Sequence, residues 1–365
     1  MLGLFVQKHA EAVQRLHDVS VLYVTADNSI ADGKAIIEKR THAGIAEHLI
    51  YFPKSPLAII NFFRYLLWYF RGMNMLPQPD LIHVHILTRT GIPALYYKWF
   101  RGIPFVITEH WSRYLPQNLN NGSYKGFLRK FATRLVVKNA AAVTTVTQNL
   151  AQSMQALGLR NRYEITPNVV DISLFTPATG KESLTIKKLI HVSCFDEPAK
   201  NIKGIIDAAS ELTEERIDFN LTIVGDGRDY KEVKAYADKK HIPEGRIRFT
   251  GLLEGTALTE EMKHADAMVM FSNYENLPCT IVESMSLGVP VISTDVGGIR
   301  EHLGKEFGIL IEPRDKEALK SAIRKVLDGK ITFEREKMRV YAREHFSYEE
   351  LGNRFDRIYR EAGLK

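Results

Sequence analysis

Residues 271–301 read FSNYENLPCTIVESMSLGVPVISTDVGGIRE. Glu275 and Glu283 are separated by seven residues, an E-x7-E spacing. Asn276 is placed to cap a helix whose first turn holds Leu277 and Pro278, since proline is tolerated where no amide donor is needed. On that reading Glu275 sits just outside the helix and Glu283 lies in its second turn. Gly288 and Pro290 end the helix and open the apolar strand VPVIS, which feeds Asp295-Val296-Gly297-Gly298 and then Glu301. Exposed amides at a helix start suit a polar or anionic ligand. A carboxylate can accept two hydrogen bonds from a vicinal diol, so one glutamate can hold a sugar ring and the other a ribose. The glycine pair permits close backbone approach to a phosphate. Taken singly, E-x7-E reads as two solvated glutamates and Gly-Gly as a turn. Their order in one stretch is what is specific.

A helix handed to a β-branched strand is half of a crossover unit, and the same alternation runs through the chain. Strands are expected at 19–25, 81–86, 104–108, 141–146 and 162–166, with helices at 55–72, 91–100, 123–139 and 147–157. Residues 167–185 are rich in Pro, Gly and Thr, lack periodicity and read as a linker. Strands then recur at 188–194, 219–224, 246–250, 267–271, 289–293 and 308–311. Helices are expected at 201–212, 228–241, 256–264, 279–287, 315–328, 332–345 and 348–362. The fold class is α/β with two facing Rossmann-like domains, 1–170 and 171–347, whose ligands belong at the carboxyl ends of the strands. The chain opens at Met1-Leu2-Gly3 without the apolar strand that begins such a half. The expectation is that this first strand lies outside the given sequence, or else that the first domain begins differently.

The 365 residues, 45% hydrophobic and 25% charged, exclude disorder, collagen and disulfide scaffolds. Cys194 and Cys279 match no metal spacing and read as reduced thiols of a cytoplasmic protein. Residues 1–171 carry a net charge of +9 and residues 172–365 one of −3. A basic half suggests nucleic acid, an anionic membrane or an acidic substrate, and no nucleic-acid module is recognisable. The first twenty residues hold Lys8, Glu11, Arg15 and Asp18 and form no export signal. The most apolar window, 56–70, is broken by Asn61 and Arg64, so no span is expected. Two stretches, 56–71 and 125–138, mix aromatic or aliphatic residues with Arg64 and Arg71, and with Lys125, Arg129, Lys130, Arg134 and Lys138. Such helices can rest on anionic lipid, or their apolar positions are core and the bases merely solvated.

The order of these features resembles family-4 retaining glycosyltransferases, which use the GT-B architecture of two Rossmann domains. The resemblance is carried by Gly3 with LFVQKHAEA, ITEHWS at 107–112, TPNVVD at 166–171, KNIKG at 200–204, IVGDG at 223–227 and the E-x7-E block. It implies a nucleotide-sugar donor on the C-terminal half, a glycan or lipid-linked acceptor on the N-terminal half, and a last helix, about 348–365, crossing back onto the first domain. Residue by residue, Glu283 matches the glutamate on the donor ribose. Glu275 matches the one near the transferred sugar, with the backbone of Asn276 and Leu277 beside it, and His110 matches the active-site histidine. Gly3 matches the first glycine loop near the phosphates, Gly225 lies in the second-domain glycine motif, and Gly297 and Gly298 form the loop after E-x7-E. Lys200 matches the lysine that neutralises the diphosphate. The family's arginine six residues before that lysine is replaced by Cys194, and the block reads E-N-L-P where E-G-F/L is commoner.

No D-x-D motif occurs, so neither a carboxylate-held metal nor any other cofactor is expected. The implied chemistry is front-face transfer with retention, in polysaccharide synthesis, by an enzyme peripheral on the inner face of the membrane. Alternatives on the same architecture are a nucleotide-sugar epimerase, a glycoside phosphorylase and a non-catalytic membrane-associated subunit.

Overall fold

The computed structural model describes residues 3–30, 34–87, 89–121, 124–178, 186–216 and 218–364. The chain divides into two compact units, residues 1–167 with 348–365, and residues 168–347.

The first unit opens on helix α1 (Leu4–Gln14), then strands β1 (Ser20–Asp27), β2 (Ile36–His42) and β3 (Ile45–Pro53) and helix α2 (Ala58–Met73). Alternation follows in β4 (Ile82–His85), α3 (Gly91–Arg101), β5 (Phe105–Glu109), α4 (Phe127–Asn139), β6 (Ala142–Thr145), α5 (Gln148–Ala156) and β7 (Tyr163–Ile165). Its described strands form two sheets, β1-β3-β2 and the parallel β4-β5-β6-β7. The β2–β3 hairpin was not expected from the sequence. Its turn sets Ala43 at φ 48° and Gly44 at φ 82°, the left-handed pair that matches strand twist. β2 is exposed at every position, so its residues carry no alternating apolar signal. Helix α1 buries Lys8, His9, Ala10, Ala12 and Val13.

The second unit runs β8 (Lys187–Val192), α6 (Glu197–Lys200), α7 (Ile202–Glu215), β9 (Phe219–Val224), α8 (Tyr230–Asp238), β10 (Ile247–Gly251) and α9 (Gly255–Lys263). It continues with β11 (Ala267–Val269), α10 (Cys279–Ser286), β12 (Val291–Thr294), β13 (Gly308–Ile311), α11 (Lys316–Leu327) and α12 (Arg335–Phe346). Its six strands lie in the order β10-β9-β8-β11-β12-β13, all parallel. Numbered within the unit this is 3-2-1-4-5-6, the doubly wound order whose direction reverses between the first and fourth strands. Successive residues serve opposite faces. Ile190 and Val291 join a core with α9, α10 and α12, whereas Leu189 and Ile292 join one with α7, α8 and α11.

Residues 168–178 are not a free linker. Val170 and Phe175 are buried in the second unit's core, and the Val170 amide donates to the Phe346 carbonyl at 2.9 Å. Three apolar side chains, Val169, Val170 and Phe175, outweigh the turn-rich composition around them. After α12, helix α13 (Tyr348–Glu361) belongs to the first unit and packs on α1. Gly352 makes that approach possible, since a Cβ there would stand 2.7 Å from the Ala12 carbonyl oxygen. Tyr348 Oη donates to Glu11 at 2.8 Å beside it.

Candidate functional site

In the second unit the topological reversal lies between β8 and β11, and the chain after each of these strands supplies one half of a buried ion pair. After β8 the backbone passes Ser193-Cys194-Phe195 and makes the short helix α6, which ends at Lys200. After β11 it forms the loop 270–278. Lys200 Nζ donates to Glu275 Oε1 at 2.5 Å, and Ser272 Oγ donates to the same oxygen at 2.9 Å. The two side chains are only 14% and 10% exposed. Burial pulls the Lys200 ammonium toward the neutral form; Glu275, with Cys194 and Asp196, overrides it and holds the group above its ordinary range.

Local bonds fix this meeting. The Asn273 amide donates to the Ala199 carbonyl at 2.7 Å and Asn273 Nδ2 to the Pro198 carbonyl at 3.0 Å, stitching the Glu275 loop to α6. Thr294 Oγ1 donates to the Ser272 carbonyl at 2.7 Å from the end of β12. His191, buried in β8, bridges the Val269 carbonyl and Ser193 Oγ beneath the reversal point. Burial presses its imidazole down to about 4.

The helix after Glu275 starts later than the sequence suggests. Asn276 is not its cap: α10 begins at Cys279, with Pro278 as the flanking residue at φ −62°, ψ 130°. The proline ring keeps Leu277 extended, which delays the helix while leaving Glu283 in its second turn. Leu277 is core, 3% exposed, and its carbonyl accepts from Asn168 Nδ2 at 2.7 Å. Glu283 is buried at 4% exposure, so it is not a solvated glutamate.

The glycine loop packs on the Glu275 loop. Gly297 lies at φ 62°, and a Cβ there would stand 2.2 Å from the Glu275 carbonyl oxygen. The Gly298 amide donates to the Asn276 carbonyl at 3.0 Å. These glycines hold the Glu275 loop by direct backbone packing. Gly225, at φ 136°, does the same for the other loop, with its Cβ position 1.9 Å from the Ser193 carbonyl oxygen. The amino end of α7 is filled from within: Glu197 accepts from the Ile202 and Lys203 amides at 2.9 and 3.1 Å. The start of α10 has no side-chain cap. Where the family places an arginine, Cys194 is exposed, and Arg228 reaches this segment by bonding Asp196 at 2.5 Å.

Gly3 and His110 belong to the first unit. Gly3 precedes α1 at φ 114° with open space where a Cβ would project. His110 follows β5 and is 8% exposed. The carboxylate of Glu109, fully buried, accepts from the amides of Leu87, His110 and Trp111 at 3.0, 3.1 and 3.0 Å, shaping the turn that presents the ring. Burial raises the Glu109 carboxyl, partly offset by Arg113 and these amides. Two histidines that sequence reasoning missed flank His110, His9 from α1 and His85 from β4, and His83 of β4 lies against His85. The His-x-His spacing in β4 was the available signal, since i and i+2 share a strand face. Their rings stack at 4.1 Å.

Comparison with known proteins accords with this geometry. Residues 3–174 match the family model described as Glycosyltransferase Family 4, and residues 182–345 the one described as Glycosyl transferases group 1. The chain belongs to this family, and its fold is the GT-B type of two Rossmann-like domains. Over 62% of its length it is 27% identical to 2-deoxystreptamine glucosyltransferase of Streptomyces kanamyceticus, and the matched part spans 62% of that relative. Among solved structures, sucrose-phosphate synthase of Thermosynechococcus elongatus superposes with a TM-score of 0.79 at 18% identity, covering 98% of this chain and 92% of the other. Anabaena HepE in complex with UDP-glucose gives 0.68 at 17% identity, covering 93% and 99%.

Proposed function

We propose that this protein is a retaining, metal-independent glycosyltransferase that moves a sugar from a nucleotide-sugar donor to a hydroxyl of a glycan or lipid-linked acceptor. The observation that carries the reading is the Lys200–Glu275 pair, buried where the doubly wound sheet reverses and where such sheets receive nucleotides. An ammonium has three donors and Glu275 takes one, so Lys200 retains two for a diphosphate. As the glycosidic bond breaks, electrons pass to the β-phosphate oxygen, and a fixed cation there stabilises the developing charge. The acceptor oxygen bonds to the same face of the sugar carbon, and its proton goes to the departing phosphate. Glu283 takes the ribose diol. Glu275 and His110 are assigned to the transferred sugar by the family resemblance, and neither acts as a covalent nucleophile. Gly3, Gly225, Asn276, Leu277, Gly297 and Gly298 serve as backbone: they shape loops beside the donor.

The setting we propose is an anionic membrane face in polysaccharide synthesis. On α2, Ile59, Phe63 and Leu67 form an exposed stripe, and on α4 Phe127 and Leu128 are 81% and 80% exposed among Lys125, Arg129 and Lys130. The apolar residues of α2 divide: Trp68 packs on the core of Val24, Ile50 and Phe52, while the stripe stays exposed. No helix among the described residues is long and apolar enough to cross a membrane.

The test is incubation with a panel of nucleotide sugars, measuring nucleotide release with and without glycan acceptors. Acceptor-dependent release that disappears in Glu275→Ala supports the assignment, and unchanged turnover in that variant overturns it. Flotation with phosphatidylglycerol vesicles at low salt tests the membrane face, and failure to float ends that part of the proposal.

A further inference from the structure

Ring nitrogens of His9, His85 and His110 all lie within 4.8 Å of one another. His85 Nδ1 and His110 Nε2 share one proton at 3.1 Å, and the His9 ring centroid is 4.9 Å from that of His110. His9 is 1% exposed, yet neither of its ring nitrogens makes a hydrogen bond. A buried imidazole with an idle nitrogen costs stability that a ligand would recover. The three rings form one ligand set. Their fourth neighbour is already committed: His83 is hydrogen-bonded to Tyr359 Oη and Thr108 Oγ1, each at 2.6 Å.

We propose that His9, His85 and His110 form a three-imidazole site for a late divalent transition ion of the zinc class. Zinc–nitrogen bonds of about 2.0–2.1 Å place tetrahedral ligand atoms roughly 3.3 Å apart, close to the His85–His110 separation. The ion takes the place of the shared proton, which moves to the far nitrogen of one ring as that ring changes tautomer. Turning of the two rings then aims both lone pairs at the ion. The Pro167 carbonyl, which favours the charged His9 ring, is placed to orient that ligand's second nitrogen. Imidazole donors suit zinc, cobalt, nickel and copper ions, unlike the carboxylate-held magnesium or manganese whose absence the sequence predicts. The site shares His110 with the transfer site proposed above, so a bound ion and the transferred sugar compete for that ring.

The experiment is Co(II) titration of the chelator-treated full chain in a Cys194→Ser background without nucleotide sugar. The expected result is the visible spectrum of tetrahedral, nitrogen-ligated cobalt at one equivalent, lost on adding zinc. His9→Gln and His85→Gln each weaken binding at least tenfold, whereas His241→Gln leaves it unchanged. Circular dichroism confirms that each variant is folded. As a second measurement on the unmutated chain, zinc raises the midpoint of unfolding followed by tryptophan fluorescence, because Trp68, Trp99 and Trp111 all lie in this unit. No cobalt spectrum, a spectrum that survives in both folded variants, or no zinc-dependent shift would each overturn the site.

Discussion

The two units bury polar groups near strand ends by opposite means. In the second, an ammonium and a carboxylate neutralise each other at 2.5 Å. In the first, His9, His83, His85 and His110 gather as a stack of rings, and burial and mutual repulsion hold His9 and His83 well below the ordinary range. An ion pair keeps full charges ready for a charged ligand but leaves an exposed debt if one partner goes. A neutral imidazole cluster gives up charge and becomes sensitive to acid instead. On the function proposed above, the difference separates a place that would meet a diphosphate from one that would meet a neutral sugar or a metal.

The comparison breaks most directly at Lys200. Lys200→Ala should abolish transfer and leave Glu275 buried without its cation, destabilising the second unit by about 3 kcal/mol. Pairing Lys200→Met with Glu275→Met should restore most of that stability, since a similar apolar pair avoids the buried charge, while transfer stays lost. Urea unfolding and nucleotide-release assays on the four members of the cycle measure both. Recovery of activity in the double variant would deny the pair any part in transfer.

Acid should find the first unit before the second. An imidazole ordinarily titrates near 6.5, and His85 in the fold near 4. As pH falls below 6.5 the unfolded chain takes up protons that the folded one refuses, so stability is complete above 6.5 and declines down to about 4. For His85 alone this amounts to roughly 3 kcal/mol. His9 and His83 are shifted the same way, against His191 alone among the histidines with a resolved shift in the second unit. Tryptophan fluorescence, which reports only the first unit, should therefore change at higher pH than far-ultraviolet circular dichroism. Coincident transitions would show that the units unfold as one.

The second unit's fold was legible in the sequence, because its strands and helices are buried in the regular periods that parallel sheets impose. The first unit was less so. β2 has no inward face to mark it, and the stretch that forms α1 was assigned no element. The glutamates and Lys200 stood out as motif residues, but the bonds that bring α6 to the Glu275 loop run through Asn273, which has no signature. The histidine cluster was further from view. His9, His85 and His110 lie far apart along the chain, and each alone reads as an ordinary buried ring. Only the packing of α1 beside β4 and β5 unites them.

Gly297→Ala sharpens the comparison at the backbone. The added Cβ would meet the Glu275 carbonyl at 2.2 Å from a backbone held at φ 62°, so the Glu275 loop must shift. We expect a loss of about 2 kcal/mol in the second unit and a fall in transfer, with the tryptophan signal of the first unit's own unfolding unchanged. Gly3→Ala is the matched control. Its backbone is also left-handed at φ 114°, but nothing lies within 4 Å of the new carbon, so its cost should be conformational only.

The smallest effect should be a gain. Cys194 is exposed beside the α6 segment, and Asp196 already binds Arg228 at 2.5 Å. Arg228 is itself 63% exposed and shared with Asp229, so it offers a partly spent charge where the family keeps a dedicated guanidinium. Cys194→Arg adds a forked donor suited to phosphate oxygens, and donor KM should fall several-fold with kcat little changed. The gain is modest because the new arginine must also compete for Asp196, and because exposed charges are screened. If KM is unaltered by Cys194→Arg but rises in Arg228→Ala, Arg228, held by Asp196 and Asp229, already supplies the missing charge.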